Sequence, residues 1–412
     1  MLSGLALESV NHDNDCMEMV HAVIVDAVRS PMGRGKATGS LAALHPVELL
    51  AQVLSALVTR NHLDPGSVDD VLVGCVGQNG EQAANVGRQA WLAAGFPVHV
   101  PAATIERKCG SGQQAVDFAA QGIAAGAYDI VIAAGVESMS RVPMGSAVMG
   151  ADPYGPSVRA RFPDLVPQGV SAELVAEKFG LSREDLDVYS ARSHARAARA
   201  AELGWFDAEI VPVRRPDGLE VRDDETIRAG TTVAGLAQLR PAFGTEEMRA
   251  RFPSVDWKVT AGNSSQITDG AAAVLLMSEQ RAGRLGLRPR ARIVASAVCG
   301  DDPVLMLTGP IPATDRVLTR AGLRLDDIEA VEINEAFASV PLAWQQHFGV
   351  DEDRVNPRGG AIALGHPLGA SGGRLLTTLL AHLETTGGRY GLQTMCEAGG
   401  MANAMIVECL AR

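Results

Sequence analysis

Two cysteines, a histidine and an asparagine are the residues of this 412-residue chain best placed for chemistry. Cys109 falls in IERKCGSGQQAVDFAAQGIAAG (105–126), after a short extended run and before a helical pattern. A thiol at such a strand-to-helix turn meets free backbone N–H groups and the positive end of the helix, which lower its pKa and make it a nucleophile. The same amides suit a developing oxyanion. By itself the turn equally suits a buried structural cysteine. His366 lies in GGAIALGHPLGASGGR (359–374), in a turn with glycines on both sides and a helix after it. An imidazole there can take a thiol proton and donate a hydrogen bond to a carbonyl oxygen. Cys396, in TMCEAGGMANAMIVE (394–408), precedes a glycine turn and a strand, and offers a second thiol as acid and base. Asn334 stands with Glu335 at a strand end in VEINEAFASV (331–340), where open α/β sheets place ligands. It could hold a water or orient His366; a helix cap is the plain alternative.

Other chemistries fit less well. The six cysteines are far apart, with no CxxC or HxxxH pair, so no metal site is expected. No GxGxxG opens a helix after the first strand, so a dinucleotide or P-loop site is not expected either.

The elements that must position these residues read as short β-branched runs alternating with helices. Predicted strands cover 22–28, 70–76, 130–134, 274–277, 291–297, 328–333 and 404–408. Helices are expected after Pro46, Gln114, Thr314 and Gly372, and after Ser182 as an N-cap. Near-continuous apolar strands imply a parallel sheet covered on both faces. The chain also repeats itself in order. HAVIVDAVRSP (21–31) matches RARIVASAVCG (290–300), and VTRNHLDPGSVDDVLVGCV (58–76) matches LTRAGLRLDDIEAVEINEA (318–336). A Gly-rich helix start follows in each half, at 109–120 and 359–380. Two similar α/β halves are therefore expected. Residues 141–260, rich in proline and charge, interrupt them as a loop-rich region with one clear helical block at 182–203. Its Arg228, Arg240, Arg249 and Arg251 read, residue by residue, as a solvated face.

Composition sets the outer bounds. With 47% hydrophobic and 20% charged residues, the chain can bury large cores. A net charge of −12 argues against a nucleic-acid partner. No apolar run is long enough to span a bilayer. Residues 1–19 carry Glu8, Asp13, Asp15 and Glu18 but no Lys or Arg, which is unlike a signal or transit peptide and suggests a disordered extension. The unpaired cysteines suit a reducing cytoplasm.

Taken together, VPAATIERKCGSGQQA, AAGVESMSRVP, TAGNSSQITDGAAAVLLMSE, GPIPAT, VEINEAFA, GGAIALGHPLGASGGR and TMCEAGG resemble the thiolase family, from about Val20 to Arg412. The resemblance implies a duplicated five-layer α/β/α/β/α core with an inserted loop domain over the coenzyme A site. On that pattern, 20–140 plus 261–287 form the N-terminal half, 141–260 the loop domain and 288–412 the C-terminal half. It further implies that Cys109 is the acylated nucleophile, activated by His366. Cys396 is the general acid/base, and Asn334 holds a water beside His366. The amides of Cys109 and Ala398 form an oxyanion hole. Arg228 and Ser265 match positions contacting CoA, and Met306 and Phe337 match the acyl pocket. CoA and acyl-CoA enter as substrates, no cofactor is bound permanently, and a homodimer or homotetramer is expected.

Departures from the pattern matter too. Glu106 stands where Asn is common, and Ala398 where glycine is usual. Pro167-Gln168 replace a His-Met pair typical of short-chain biosynthetic members, and NSSQ resembles degradative ones. Degradation of medium, long or bulky 3-oxoacyl-CoAs is thus expected, with biosynthetic condensation of two acetyl-CoA as the alternative. A decarboxylating ketosynthase would lack Cys396. A non-catalytic acyl-CoA or sterol carrier would have lost one of Cys109, His366 and Cys396.

Overall fold

The computed structural model describes residues 21–411; the N-terminal extension expected at 1–19 lies outside the described residues. Twelve strands occur in it. The N-terminal part supplies β1 (Ala22–Arg29), β2 (Gly33–Arg34), β3 (Asp70–Gly74), β4 (Ala102–Ile105) and β5 (Ile130–Ser138). A small hairpin, β6 (Val213–Arg214) and β7 (Glu220–Val221), precedes the long β8 (Thr268–Ser278). The C-terminal part adds β9 (Ala291–Gly300), β10 (Ala330–Ile333), β11 (Tyr390–Glu397) and β12 (Met401–Cys409).

The duplication is visible in the pairing. One half runs β1-β8-β5-β3-β4 and the other β9-β12-β11-β10, joined where Val23 and Ile24 meet Arg292 and Ala291. In both halves the first two pairings are antiparallel and the third parallel. Even the β3–β4 pairing has a remnant counterpart, a parallel bridge between Val331 and Val355. The sheets are therefore mixed, which corrects the expectation of a parallel sheet. Burial on both faces produces the same unbroken apolar runs whichever way the neighbouring strand points.

Alternate side chains of each strand enter different layers, as the two-residue period demands. Along β8, Ala273, Leu275 and Met277 pack with Leu50, Leu54 and Trp91 of the outer helices Pro46–Arg60 and Val86–Ala93. Val274 and Leu276 turn inward, to Ala119 and Ile123 of helix Ser111–Ala124 and Leu376 and Leu380 of helix Ser371–Thr386. From the opposite side Met405 and Val407 of β12 enter that same middle layer. Ala404 and Ile406 instead face the other outer helices, Pro310–Ala321 and Ser339–Phe348, through Val317 and Trp344. Helix, sheet, helix, sheet, helix is the resulting order.

The inserted region is more helical than its prolines suggested. Helix Arg183–Glu202 starts at Ser182 with a capping box to Asp185, as expected. A second helix, Gln168–Lys178, begins directly after Pro167. No helix among the described residues is long and apolar enough to cross a membrane.

Candidate active site

The two middle-layer helices carry the two glycine turns at their N-termini, and this sets the site. Gly112 sits where a Cβ would stand 2.5 Å from the Gly369 carbonyl oxygen, and a Cβ on Gly372 would reach 2.1 Å from the Gln113 nitrogen. Backbone touches backbone at this crossing, so the turns holding Cys109 and His366 are drawn together.

Cys109 lies between β4 and helix Ser111–Ala124, 4% exposed. The turn is held by Ser111, whose hydroxyl accepts from the Arg107 amide at 2.8 Å and donates to the Lys108 carbonyl at 2.6 Å. Lys108 adopts a left-handed φ of 47°, and Glu106 accepts from its amide at 2.7 Å. Glu106, a departure from the family pattern, thus makes a local contact within the loop. The Cys109 sulfur faces its own amide, the Ala398 amide and the Gln168 side chain, all of which favour a thiolate. Burial outweighs them: with Glu397 nearby, it pushes the thiol up to about 12. The expected lowering is reversed, and burial favours the neutral Cys109 thiol.

His366 is held in one orientation by its neighbours. Its backbone N–H donates to Thr268 Oγ1 at 3.0 Å and to the Gln266 carbonyl at 3.2 Å. Ser371 directs its own proton to the Pro367 carbonyl at 2.9 Å, so its oxygen accepts from Nδ1–H of His366 at 2.6 Å. Nε2 keeps its lone pair, 3.4 Å from the Asn334 side-chain nitrogen. Burial and the Arg374 charge lower the imidazole to about 3, so it stays neutral at physiological pH. Gly365 before it needs both its φ of 88° and its missing Cβ, which would fall 2.3 Å from Thr268 Oγ1.

Cys396 lies near the end of β11 and, as expected, precedes a glycine turn, at 398–400, and a strand, β12. Its thiol approaches the Asn334 carbonyl at 4.0 Å, and burial together with Cys109 raises its pKa. Asn334 Oδ1 is buried without a partner, as a site for one water requires. Glu335 is a structural tie. It accepts from Tyr189, Ser193, Asn356 and the Ile362 amide at 2.8–3.0 Å, tying the inserted region to the His366 segment. Ala398 is not among the residues with positive φ; Gly399 (89°) and Gly400 (75°) take that strain. Its N–H therefore points at Cys109 without a glycine there.

Two cavities meet here. One of ≈ 260 Å³ is lined by His366, Ser265, Gln266, Phe337 and Gln168. The other, ≈ 210 Å³, is lined by Cys109, Ala398, Val142, Val148 and again Gln168. Met139, Met144 and Leu368 are common to both. Arg228 lies exposed at the rim of the first, its guanidinium 3.3 Å from Gln266. Met306 instead packs into the C-terminal core and lines neither cavity. A larger hollow of ≈ 760 Å³, beside Phe206 and Arg222, holds none of these groups. The sequence did not single out Ser371 or Glu397, and marked Gln168 only as part of a departure from the biosynthetic pattern. Only Ser371 had a local signal, in the same glycine-rich segment as His366.

The model of the thiolase N-terminal domain matches residues 22–280, and that of the thiolase C-terminal domain matches 287–409. A steroid 3-ketoacyl-CoA thiolase of Mycobacterium tuberculosis is 47% identical, over 95% of each chain. A β-ketoadipyl-CoA thiolase of Acinetobacter baylyi is 44% identical, over 95% of this chain and all of its own. The crystal structure of a Bacillus anthracis acetyl-CoA acetyltransferase superimposes with a TM-score of 0.84 at 38% identity, covering 95% of this chain and 99% of that one. With both halves matched and the two glycine turns meeting at one site, the chain belongs to the thiolase family.

Proposed function

We propose that this acyltransferase cleaves 3-oxoacyl-CoA with free CoA, giving acetyl-CoA and an acyl-CoA two carbons shorter. The observation that carries this reading is that Cys109 and His366 line two adjoining cavities, with Asn334 beside His366 and Cys396 beside both Asn334 and Cys109. His366 Nε2 takes the Cys109 proton, and the thiolate attacks the 3-oxo carbon. The C2–C3 bond breaks, its electron pair leaves with the acetyl-CoA enolate, and Cys396 protonates that carbon. The Cys396 thiolate then deprotonates incoming CoA, which takes the acyl group from Cys109. The amides of Cys109 and Ala398 form one oxyanion hole; His366, as imidazolium, and a water on Asn334 form the other. Residues 141–260 cover the CoA, with Ser265 and Arg228 along its path and Phe337 at the acyl group, in the cavity that His366 lines. The protein works in the cytoplasm as a homo-oligomer.

The relatives' names, steroid and β-ketoadipyl, favour a degradative role with bulky or polar acyl groups. The test is thiolysis across 3-oxoacyl-CoAs of graded length, with one ring-bearing and one carboxylate-ended substrate, alongside acetyl-CoA condensation. Cys109→Ser is expected to abolish covalent acyl label, and Cys396→Ser to slow bond exchange by about 10²–10⁴-fold while still taking label. Label on any other cysteine, or no thiolysis of any of these substrates, would sink the reading.

A further inference from the structure

Glu397 is the residue beside the two thiols that the proposed reaction does not use. It ends β11 next to Cys396, is fully buried, and neither carboxyl oxygen has a hydrogen-bond partner. It also presses on the nucleophile's own loop. A Cβ on Gly110 would fall 1.9 Å from Glu397 Oε1 and 2.9 Å from the Asn403 side-chain nitrogen, and that nitrogen holds the Gly110 carbonyl at 3.1 Å. The carboxyl therefore packs against the residue whose neighbours in sequence are Cys109 and the first turn of helix Ser111–Ala124.

An isolated carboxylate in such a place lacks the donors that stabilise a buried charge. Arg107, on the nucleophile loop, is the cation that faces it, and its own Nε is buried without a hydrogen-bond partner. Glu106 on the same loop and Asp117 on the helix face it with like charge. The groups that feel its charge in turn are Cys109, Cys396 on its own strand and Cys299 on β9.

We propose that Glu397 is a positioning residue that supports the Cys109 turn as a neutral carboxylic acid, and that its ionisation opposes thiolate formation at Cys109 and Cys396 together. This rests on the roles given to the two thiols above. Burial, which raises its pKa to about 8, agrees with a proton held through neutral pH. As pH rises past that point the proton passes to water, a negative charge appears near both thiols, and each becomes harder to ionise. Alkaline pH then helps the thiols less than their own titration would.

The test uses the full chain and iodoacetamide, with carbamidomethylated Cys109 quantified by peptide mass mapping across pH. Glu397→Gln and Glu397→Met keep the shape without the charge. For both, the ratio of variant to wild-type alkylation rate is expected to climb by roughly tenfold between about pH 6.5 and about pH 9.5. A ratio that stays flat, with rates equal or uniformly depressed, overturns the proposal. Failure of both variants to fold overturns it as well, since a neutral acid has neutral stand-ins. Alkylation needs only an ionised thiol, so this readout holds even if thiolysis itself fails to appear.

Discussion

Ser371 decides which nitrogen of His366 is basic, because its hydroxyl proton is already committed to the Pro367 carbonyl. Ser371→Ala removes the acceptor for Nδ1–H and lets the ring change tautomer or rotate away from Asn334. We expect kcat/KM to fall by about 10²-fold, mainly in kcat, since the interaction matters most while Nε2 carries the Cys109 proton. Ser371→Thr, which restores an acceptor, should recover much of the loss. A rate in the alanine variant within a factor of two of wild type would remove Ser371 from the mechanism. Cys109 and His366 were legible in the sequence because each is embedded in glycines that serve backbone access rather than packing. Gln168 and Glu397 were not, since both reach Cys109 only across the fold, from helix Gln168–Lys178 and from the end of β11.

The middle layer turns those residues into one site. At the crossing of its helices, Gly112, Gly372 and Gly369 meet through backbone atoms, and a Cβ on Gly135 of β5 would come within 2.1 Å of the same Gly369 oxygen. A methyl group there cannot be relieved by rotating a flexible side chain. Gly372→Ala is therefore expected to cost about 1–3 kcal/mol of stability, and to lower activity further by separating the Cys109 and His366 turns. Gly283→Ala, in helix Glu279–Leu285 with nothing within 4 Å, is the control and should gain roughly 0.5–1 kcal/mol. Equal melting temperatures for the two variants would refute the crossing as the constraint. The duplication and most long strands could be read in advance from apolar runs repeated in order. β4 and β11 could not. Buried Gln393 and Thr394 interrupt the apolar run of β11, and their burial makes sense only with their partners, as Gln393 reaches across to Gln113 and the Gly372 carbonyl.

The whole molecule buries ionisable groups of both kinds, and their opposite linkages shape its stability. Asp117, Glu332 and Glu397 are each raised to about 8, chiefly by burial. The folded chain keeps protons on them that the unfolded chain releases near pH 4, so their contribution is complete below about pH 4 and is lost as pH rises through about 8. His366, His194 and His382 are lowered by burial to about 3, 4 and 4. Their contribution is present above the unfolded value near 6.5 and is lost as pH falls towards those lower values. Between about pH 4 and 6.5 the two sets oppose each other. Above about 6.5 the histidines fall silent and the carboxyls act alone, each by up to about 1.4 kcal/mol per pH unit. The melting temperature should therefore decline most clearly between about pH 6.5 and about pH 8, as calorimetry would measure. Asp117→Asn combined with Glu397→Gln should flatten that decline, because an amide has no proton to lose. If the melting temperature instead rises across this interval, or the double variant declines as steeply as the wild type, the buried carboxyls are not what limits stability on the alkaline side.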